Sequence, residues 1–430
     1  MTIRESLHKT TAFRPCPICG QRSVEHLHAM HFALPSSSPL PSSYDVVACG
    51  NCGFVFADTP GSQADYARHY TEFSLYEDRV HASGSGSSSE DKQRFAAMAS
   101  LIGQYFPRTA RVLDVGCGNG GLLLALRCHG FTNLVGMDPS AACASRLDEL
   151  DLCGVQGTLE SFPESIGRFD LIVLSHVMEH LLHPLGALGV VREMLTGDGK
   201  VYLETPDASR YEAYPFVPFY FFDSEHINHF DRTALANLAT AAGFEVDRVA
   251  TKEIPVAGGQ AYPAVYMLAG GKAAPRVDRL AKTDELRTAV ANYITASTTR
   301  AQEFAAIADE LEPSAPLALW GAGSFAQRFV ELPWLKKRRI LAVVDRDPRK
   351  QGLQFAGCTI AAPEEGLREL PSDTMVMILV ALDPESAVHE YLELGLPYRF
   401  RSCSRLDADL LAKYDSENPA IIAPNGCMPK

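Results

Sequence analysis

The stretch RVLDVGCGNGGLLLALRCHG, from Arg111 to Gly130, decides the fold. A short apolar run, Val112-Leu113, leads into Asp114. Gly116, Gly118, Gly120 and Gly121 follow, and then an apolar helical stretch. The order is strand, glycine turn, helix. Glycine carries no Cβ, so a ligand can lie against the backbone where the helix begins. Further on, NLVGMDPS is a second apolar strand ending in Asp138, 20 residues after Gly118. An acid at that place can accept hydrogen bonds from both hydroxyls of a ribose. FDLIVLSHVMEHLLHP supplies a third strand over 169–174 that ends in Ser175 and His176, and KVYLETP supplies a fourth. Strands alternating with helices predict an α/β fold with a parallel sheet, whose ligands bind at the strands' C-terminal ends. Glu179 and His180 are expected to cap or orient the following helix.

Outward from this core the chain divides into pieces. HASGSGSSSED, residues 81–91, is Gly/Ser-rich and reads as a linker. A helix-forming stretch over 276–312 opens the C-terminal piece. The expected division is 1–82, a linker at 83–92, a cofactor-binding domain over 93–272 and a C-terminal Rossmann-like domain over 273–430. In the last piece LALWGAGSFAQRF and ILAVVDRDPRKQG repeat the strand–glycine–helix–strand pattern, with Gly321, Gly323 and Ser324 in the turn and Asp345 at the next strand's end.

The N-terminal piece holds CPICG and CGNCG. Cys16 and Cys19 form one C-x2-C pair and Cys49 and Cys52 another, each followed by Gly. Paired knuckles of this kind suit a structural Zn2+ held by four thiolates with no open position. The chain has 11 cysteines, an odd count, and no apolar leader before the first of them. This favours a reduced, cytoplasmic setting over a disulfide scaffold. The net charge of −13 and the absence of an 18-residue apolar run argue against nucleic-acid and membrane partners.

FYFFDSEHINHF, Phe219 to Phe230, sets Asp223, Glu225, His226, Asn228 and His229 among five phenylalanine and tyrosine rings. Burial and neighbouring charge shift titrating groups there, so a reaction site is expected. His226 is the expected general base, because an imidazole titrates near neutrality, with Glu225 orienting it or acting as the base itself. Asn228 and His229 bind substrate oxygens or secure the loop. Tyr76, in YARHYTEFSLYEDR with Tyr66 and Tyr70, is a candidate lid residue, and Tyr220 a candidate substrate contact. His226 and His229 stand three apart, but H-E-x-x-H is absent and no carboxylate spacing completes a catalytic metal site.

VLDVGCGNGGLL, GMDPS and FDLIVLSHVMEHLLHP resemble the successive motifs of class I S-adenosylmethionine-dependent methyltransferases, over roughly 95–245. The resemblance implies that Asp114, Gly116, Cys117 and Gly118 flank the methionine end of the cofactor. Asp138 and Pro139 then meet the ribose, Leu159 and Glu160 in GTLESFP lie near the adenine, and Ser175 and His176 border the same site. With the cysteine pairs before and WGAG…VVDRDPRKQG after, the whole chain resembles the three-domain sugar C-methyltransferases. It implies a deoxy-ketosugar carried on a nucleoside diphosphate as substrate, with Gly321, Gly323, Ser324 and Asp345 helping to hold it. Glu225 and His226 match that family's catalytic loop, whereas Asp223 and Ser224 stand where it carries Tyr and His. Transfer to a sugar oxygen or nitrogen is the alternative, and an RNA or protein methyltransferase with a zinc-knuckle reader is the second. A monomer or weak homodimer is expected.

Overall fold

A computed structural model describes residues 9–72, 86–271, 273–277, 280–310 and 314–403. The chain forms two compact units. The first is built from 1–29, 39–214 and 225–292, and the second from 30–38, 215–224 and 293–430.

In the first unit, strands β1 (Lys9–Thr11), β2 (Ser23–His31), β3 (Ser43–Cys49) and β4 (Val55–Asp58) precede helices α1 (Gln63–Glu72) and α2 (Ser89–Tyr105). Next come β5 (Arg111–Val115), α3 (Gly121–Cys128), β6 (Asn133–Asp138), α4 (Ala141–Glu149), β7 (Cys153–Gln156), β8 (Phe169–Ser175), α5 (Pro184–Met194) and β9 (Leu195–Pro206). β10 (Asn228–His229), α6 (Arg232–Ala242), β11 (Glu245–Val256) and β12 (Gln260–Gly270) complete it. The seven-stranded sheet runs β11-β12-β9-β8-β5-β6-β7. β9, β8, β5, β6 and β7 are parallel, and β12 inserts antiparallel between β9 and β11. On α2, Phe95, Met98, Ala99 and Ile102 form one apolar face, the i, i+3, i+4, i+7 stripe of an amphipathic helix. That face packs with Leu122, Leu123 and Leu126 of α3 on Val112, Leu171 and Val173 of the sheet.

Two sequence boundaries move. Residues 89–92, expected in the linker, form the first turn of α2. The Ser88 side chain accepts the Asp91 N–H, and Glu90 and Asp91 sit at the positive end of the helix, so the helix begins inside the serine run. The long helix α7, Glu285–Glu310, begins nine residues after the expected start at 276. Before it, the Thr283 hydroxyl accepts the Glu285 N–H and blocks extension toward Pro275.

The N-terminal strands form a sheet in the order β1-β2-β3-β4-β10. Its last strand comes from far along the chain, with Asn228 opposite Phe56 and His229 opposite Val55. The cysteine-bearing piece and the methyltransferase-like sheet therefore lie in one unit. FYFFDSEHINHF divides between the units. Residues 215–224 belong to the second and 225 onward to the first.

The second unit holds β13 (Leu317–Trp320), α8 (Ser324–Phe329), β14 (Ile340–Val344), β15 (Gln354–Phe355), β16 (Cys358–Ala361), α9 (Pro363–Gly366), β17 (Met375–Ile378), α10 (Pro384–Glu393) and β18 (Arg399–Ser402). Its sheet order is β15-β16-β14-β13-β17-β18, parallel except for β15. Alternate residues feed opposite faces. Leu317, Leu319, Val343 and Met377 enter one core, and Ala318, Trp320, Val344 and Ile378 the other, as a sheet covered on both faces requires. Val217 and Tyr220 join the first of these cores. Among the described residues no helix is long and apolar enough to cross a membrane.

Candidate active site

The glycine turn after β5 and the acid ending β6 are one assembly. Gly116, Gly118 and Gly120 all have positive φ. Gly116 and Cys117 donate their N–H groups to Met137 O, at 2.8 and 3.2 Å. Gly118 donates to Asp138 Oδ2 at 3.0 Å, and Ser140 N–H to Asp138 Oδ1 at 2.9 Å. Asp138 is thereby held rigid before any ligand arrives. A Cβ at Gly118 would meet nothing within 4 Å, so the turn leaves open space along its backbone. Asp114 is buried, and its carboxyl is pushed up to about 8 by desolvation first and by the charge of Asp138 second, with Arg94 opposing. Such a carboxylic acid is poised for a cation, and the ammonium and sulfonium of S-adenosylmethionine are cations. The open turn and the rigid acid therefore fit that cofactor. Pro139 O accepts Gln156 Nε2 at 3.3 Å. Leu159 is buried, and Glu160 is exposed in the tight Thr158–Ser161 turn.

At the end of β8, Ser175 Oγ accepts Arg94 Nη2 at 3.0 Å and donates to Glu204 Oε1 at 3.3 Å. Glu204 is fully buried. Burial raises its carboxyl, but Lys252, His176 and Arg94 outweigh that and hold it well below the usual range. His176 takes φ +56°, a left-handed backbone rare for a side chain of its size. That turn sets its Nδ1 3.1 Å from Glu179 Oε1 and its Nε2 3.5 Å from Glu204 Oε1. Burial and Arg94 depress its pKa, and the two carboxylates override them to raise it.

From this edge a cluster of imidazoles extends. Glu179 and His180 do not cap α5, whose N-cap residue His183 makes no side-chain capping bond. They sit in a buried turn facing inward. His180 Nδ1 lies 2.9 Å from the Tyr70 hydroxyl and 3.3 Å from Glu225 O, and its ring meets that of His226 edge to face at 4.8 Å. Glu225 Oε1 is 3.3 Å from His69 Nε2. Burial works against ionising Glu225, but His69, His180 and His226 bring its carboxyl down to about 2. Glu225 and His226, named from the sequence, are thus brought together with His180, and with His69, Tyr70 and Glu179, whose placement spacing did not give.

Asn228 donates to Met178 O at 2.9 Å and Leu181 O at 2.7 Å and accepts Arg14 Nη2 at 2.9 Å. These bonds tie its amide to residues 178–181 and to Arg14. His229 is fully buried, its Nδ1 3.4 Å from Tyr211 OH, and burial pushes it down to about 3, so it stays neutral. Tyr220 lies in the second unit, its ring 4.5 Å from that of Phe216. Within the second unit Phe221 and Phe222 pack on Tyr293. Tyr293 OH accepts the Phe221 N–H at 3.1 Å. Tyr76 lies outside the described residues.

In the second unit a similar turn recurs. Gly321 has φ +105°, and Ala322 N–H donates to Asp345 Oδ2 at 2.8 Å. Lys350 Nζ reaches the same oxygen at 2.9 Å. Gly323 precedes Ser324, the first residue of α8, and a Cβ there would meet only Lys350 Nζ, at 4.0 Å.

The cysteines meet as their spacing predicts. Cys16 and Cys52 sulfurs are 3.7 Å apart and Cys19 and Cys49 sulfurs 3.5 Å apart, and all four lie within 4.8 Å of one another. Four sulfurs about 2.3 Å from one ion lie at about this separation, so the set fits tetrahedral Zn2+.

Residues 91–249 match the family model described as a methyltransferase domain. This segment is thus a methyltransferase domain, with the α/β Rossmann-like fold expected of it. The tRNA U34 carboxymethyltransferase of Pseudomonas aeruginosa is 33% identical over 105 residues, 23% of this chain and 33% of that protein. The enzyme of the same name from Azotobacter vinelandii is 31% identical over 105 residues, with the same shares. The chain thus spans about a third of the length of these curated relatives. Among solved structures, the 1,6-didemethyltoxoflavin-N1-methyltransferase of Burkholderia thailandensis covers 52% of this chain and 97% of its own, at 17% identity and a TM-score of 0.38.

Proposed function

We propose that the protein transfers a methyl group from S-adenosylmethionine to a carbon of a nucleotide-linked ketosugar. The observation that carries this reading is the cluster of Glu225, His69, His180 and His226, linked through Glu179 and His176 to the strand ends of the methyltransferase sheet. Methylation of an oxygen or nitrogen needs at most one base. A carbon beside a ketone is a far weaker acid, so its enolate needs a base and stabilising groups held together.

The bound cofactor supplies an electrophilic methyl group. His226 takes the proton from the carbon beside the substrate carbonyl. Glu225, kept anionic, stabilises the imidazolium that forms, and His69 fixes the carboxylate's position. Asp114 and Asp138 bind and orient the donor. The second unit, with its own glycine turn, Asp345 and Lys350, suits the nucleotide part of the substrate. The four-cysteine set would hold a structural Zn2+ and take no part in the chemistry.

The test is incubation with labelled S-adenosylmethionine and, separately, a panel of nucleoside-diphosphate ketosugars and bulk tRNA. Label recovered in a nucleotide sugar supports the reading. Label recovered in tRNA supports the alternative that the tRNA-modifying relatives suggest, against which the net charge of −13 argues.

A further inference from the structure

We propose that Glu179, His180 and His226 form a second metal site, open to solvent ligands and selective for a divalent transition ion such as Zn2+ or Co2+. One ligand atom from each of the three residues lies within 4.8 Å of the others. Atoms bonded to one ion at about 2.1 Å stand about 3–3.5 Å apart, so small side-chain rotations, on the order of 1 Å, close the set.

Two further observations point to a ligand. Glu179 is fully buried, and its Oε2 accepts no hydrogen bond from any described residue. Its other oxygen lies beside His176 Nδ1, which leaves Oε2 as the coordinating atom. A buried carboxylate oxygen with an unfilled lone pair is costly, and a cation removes that cost. The second observation is the hydrogen bonding of His180. Its Nδ1 faces the Tyr70 hydroxyl at 2.9 Å and the backbone oxygen of Glu225 at 3.3 Å. The carbonyl can only accept, and the hydroxyl can accept too, so a proton shared between them on Nδ1 puts the lone pair on Nε2, the arrangement by which metal-bound histidines are oriented. Two imidazoles and one carboxylate are a donor set with room for one or two further ligands, and they favour transition ions over Mg2+ or Ca2+. The ion would occupy the His226 lone pair, so it would compete with proton transfer at that residue.

The full-length protein, with its zinc content measured as purified, is titrated with Co2+ by calorimetry and visible absorption. The expected result is a second equivalent whose ligand-field bands appear without the thiolate charge-transfer that a cobalt-substituted cysteine site shows. Glu179→Gln and His180→Ala should weaken this equivalent at least about 10-fold and leave the cysteine-bound metal in place. X-ray absorption at the second ion in the wild-type protein should show two imidazoles. Absence of a second equivalent overturns the proposal. So does a second equivalent unchanged in both folded variants, or a coordination shell without imidazole.

Discussion

His69 Nε2, on α1, lies 3.3 Å from Glu225 Oε1, on the segment that leads into β10. The pair ties the piece that follows the cysteine sheet to the proposed base. His69→Ala should lower kcat about 10–100-fold, the worth of one charge-assisted hydrogen bond in a mostly buried place, and leave the Kd for S-adenosylmethionine unchanged. His69→Gln, which keeps a donor, should recover part of the loss. A fall in cofactor affinity with kcat preserved would move the pair out of the chemistry.

Asp114 predicts a proton signature. Its carboxyl is raised to about 8, so at pH 7 it is largely protonated in the free protein. A cationic ligand favours the carboxylate. Binding of S-adenosylmethionine at pH 7 should therefore release protons, and affinity should rise as pH increases toward 8. Calorimetry in buffers of different ionisation enthalpy reads the release directly, and Asp114→Asn should abolish it. The folded state also binds this proton more tightly than the unfolded state does, so Asp114 costs stability as pH rises from about 4 to about 8. The Asn variant should melt higher than wild type at pH 8 to 9 while binding cofactor more weakly.

Asp138 accepts backbone donors from both Gly118 and Ser140. Asp138→Ala should weaken cofactor binding by about 1–3 kcal/mol. Isothermal titration giving the same Kd for variant and wild type would remove it from the ribose site.

Glycine turns and terminal acids were legible because the requirement is local. A backbone with positive φ and a carboxylate at a strand end leave a pattern within a few residues, as at Gly116 to Gly118 with Asp138. The cysteine pairs were legible for the same reason. The pairing of His69 with Glu225 was not, nor was the approach of His226 to Glu179 and His180, since these residues come together only through tertiary packing. Nor was β10 legible. Two residues, Asn228 and His229, add a strand to a sheet begun at residue 9, and no periodicity marks so short a strand. The break after Ser224 was hidden because both halves of FYFFDSEHINHF are mostly buried, one in each unit.

The cysteine site and the proposed base are coupled by that short strand. β4, which follows Cys52, pairs with Asn228 and His229. Zinc analysis should find about one ion per chain at the cysteines. Cys49→Ala with Cys52→Ala should remove it, lower the melting temperature and reduce methyl transfer. Zinc content unchanged from wild type in the double variant would refute the site.

Gly323 gives a test of the second unit. A Cβ there meets no protein atom closer than 4.0 Å, and its backbone is in an ordinary extended conformation. Gly323→Val should fold normally, raise the KM for the nucleotide-linked substrate several-fold and leave S-adenosylmethionine affinity unchanged. Unchanged KM would give this turn another role.

Carbon methylation through an enolate leaves a direct isotopic signature. The direct measurement uses S-adenosylmethionine labelled with 13C in its methyl group, a nucleoside-diphosphate ketosugar and D2O, followed by NMR of the product. The expected product carries a labelled methyl showing one-bond coupling to the carbon beside the carbonyl, with deuterium entering that position in the unreacted sugar and the exchange lost in His226→Ala. A labelled methyl on oxygen or nitrogen, or transfer unaffected by His226→Ala, would contradict it.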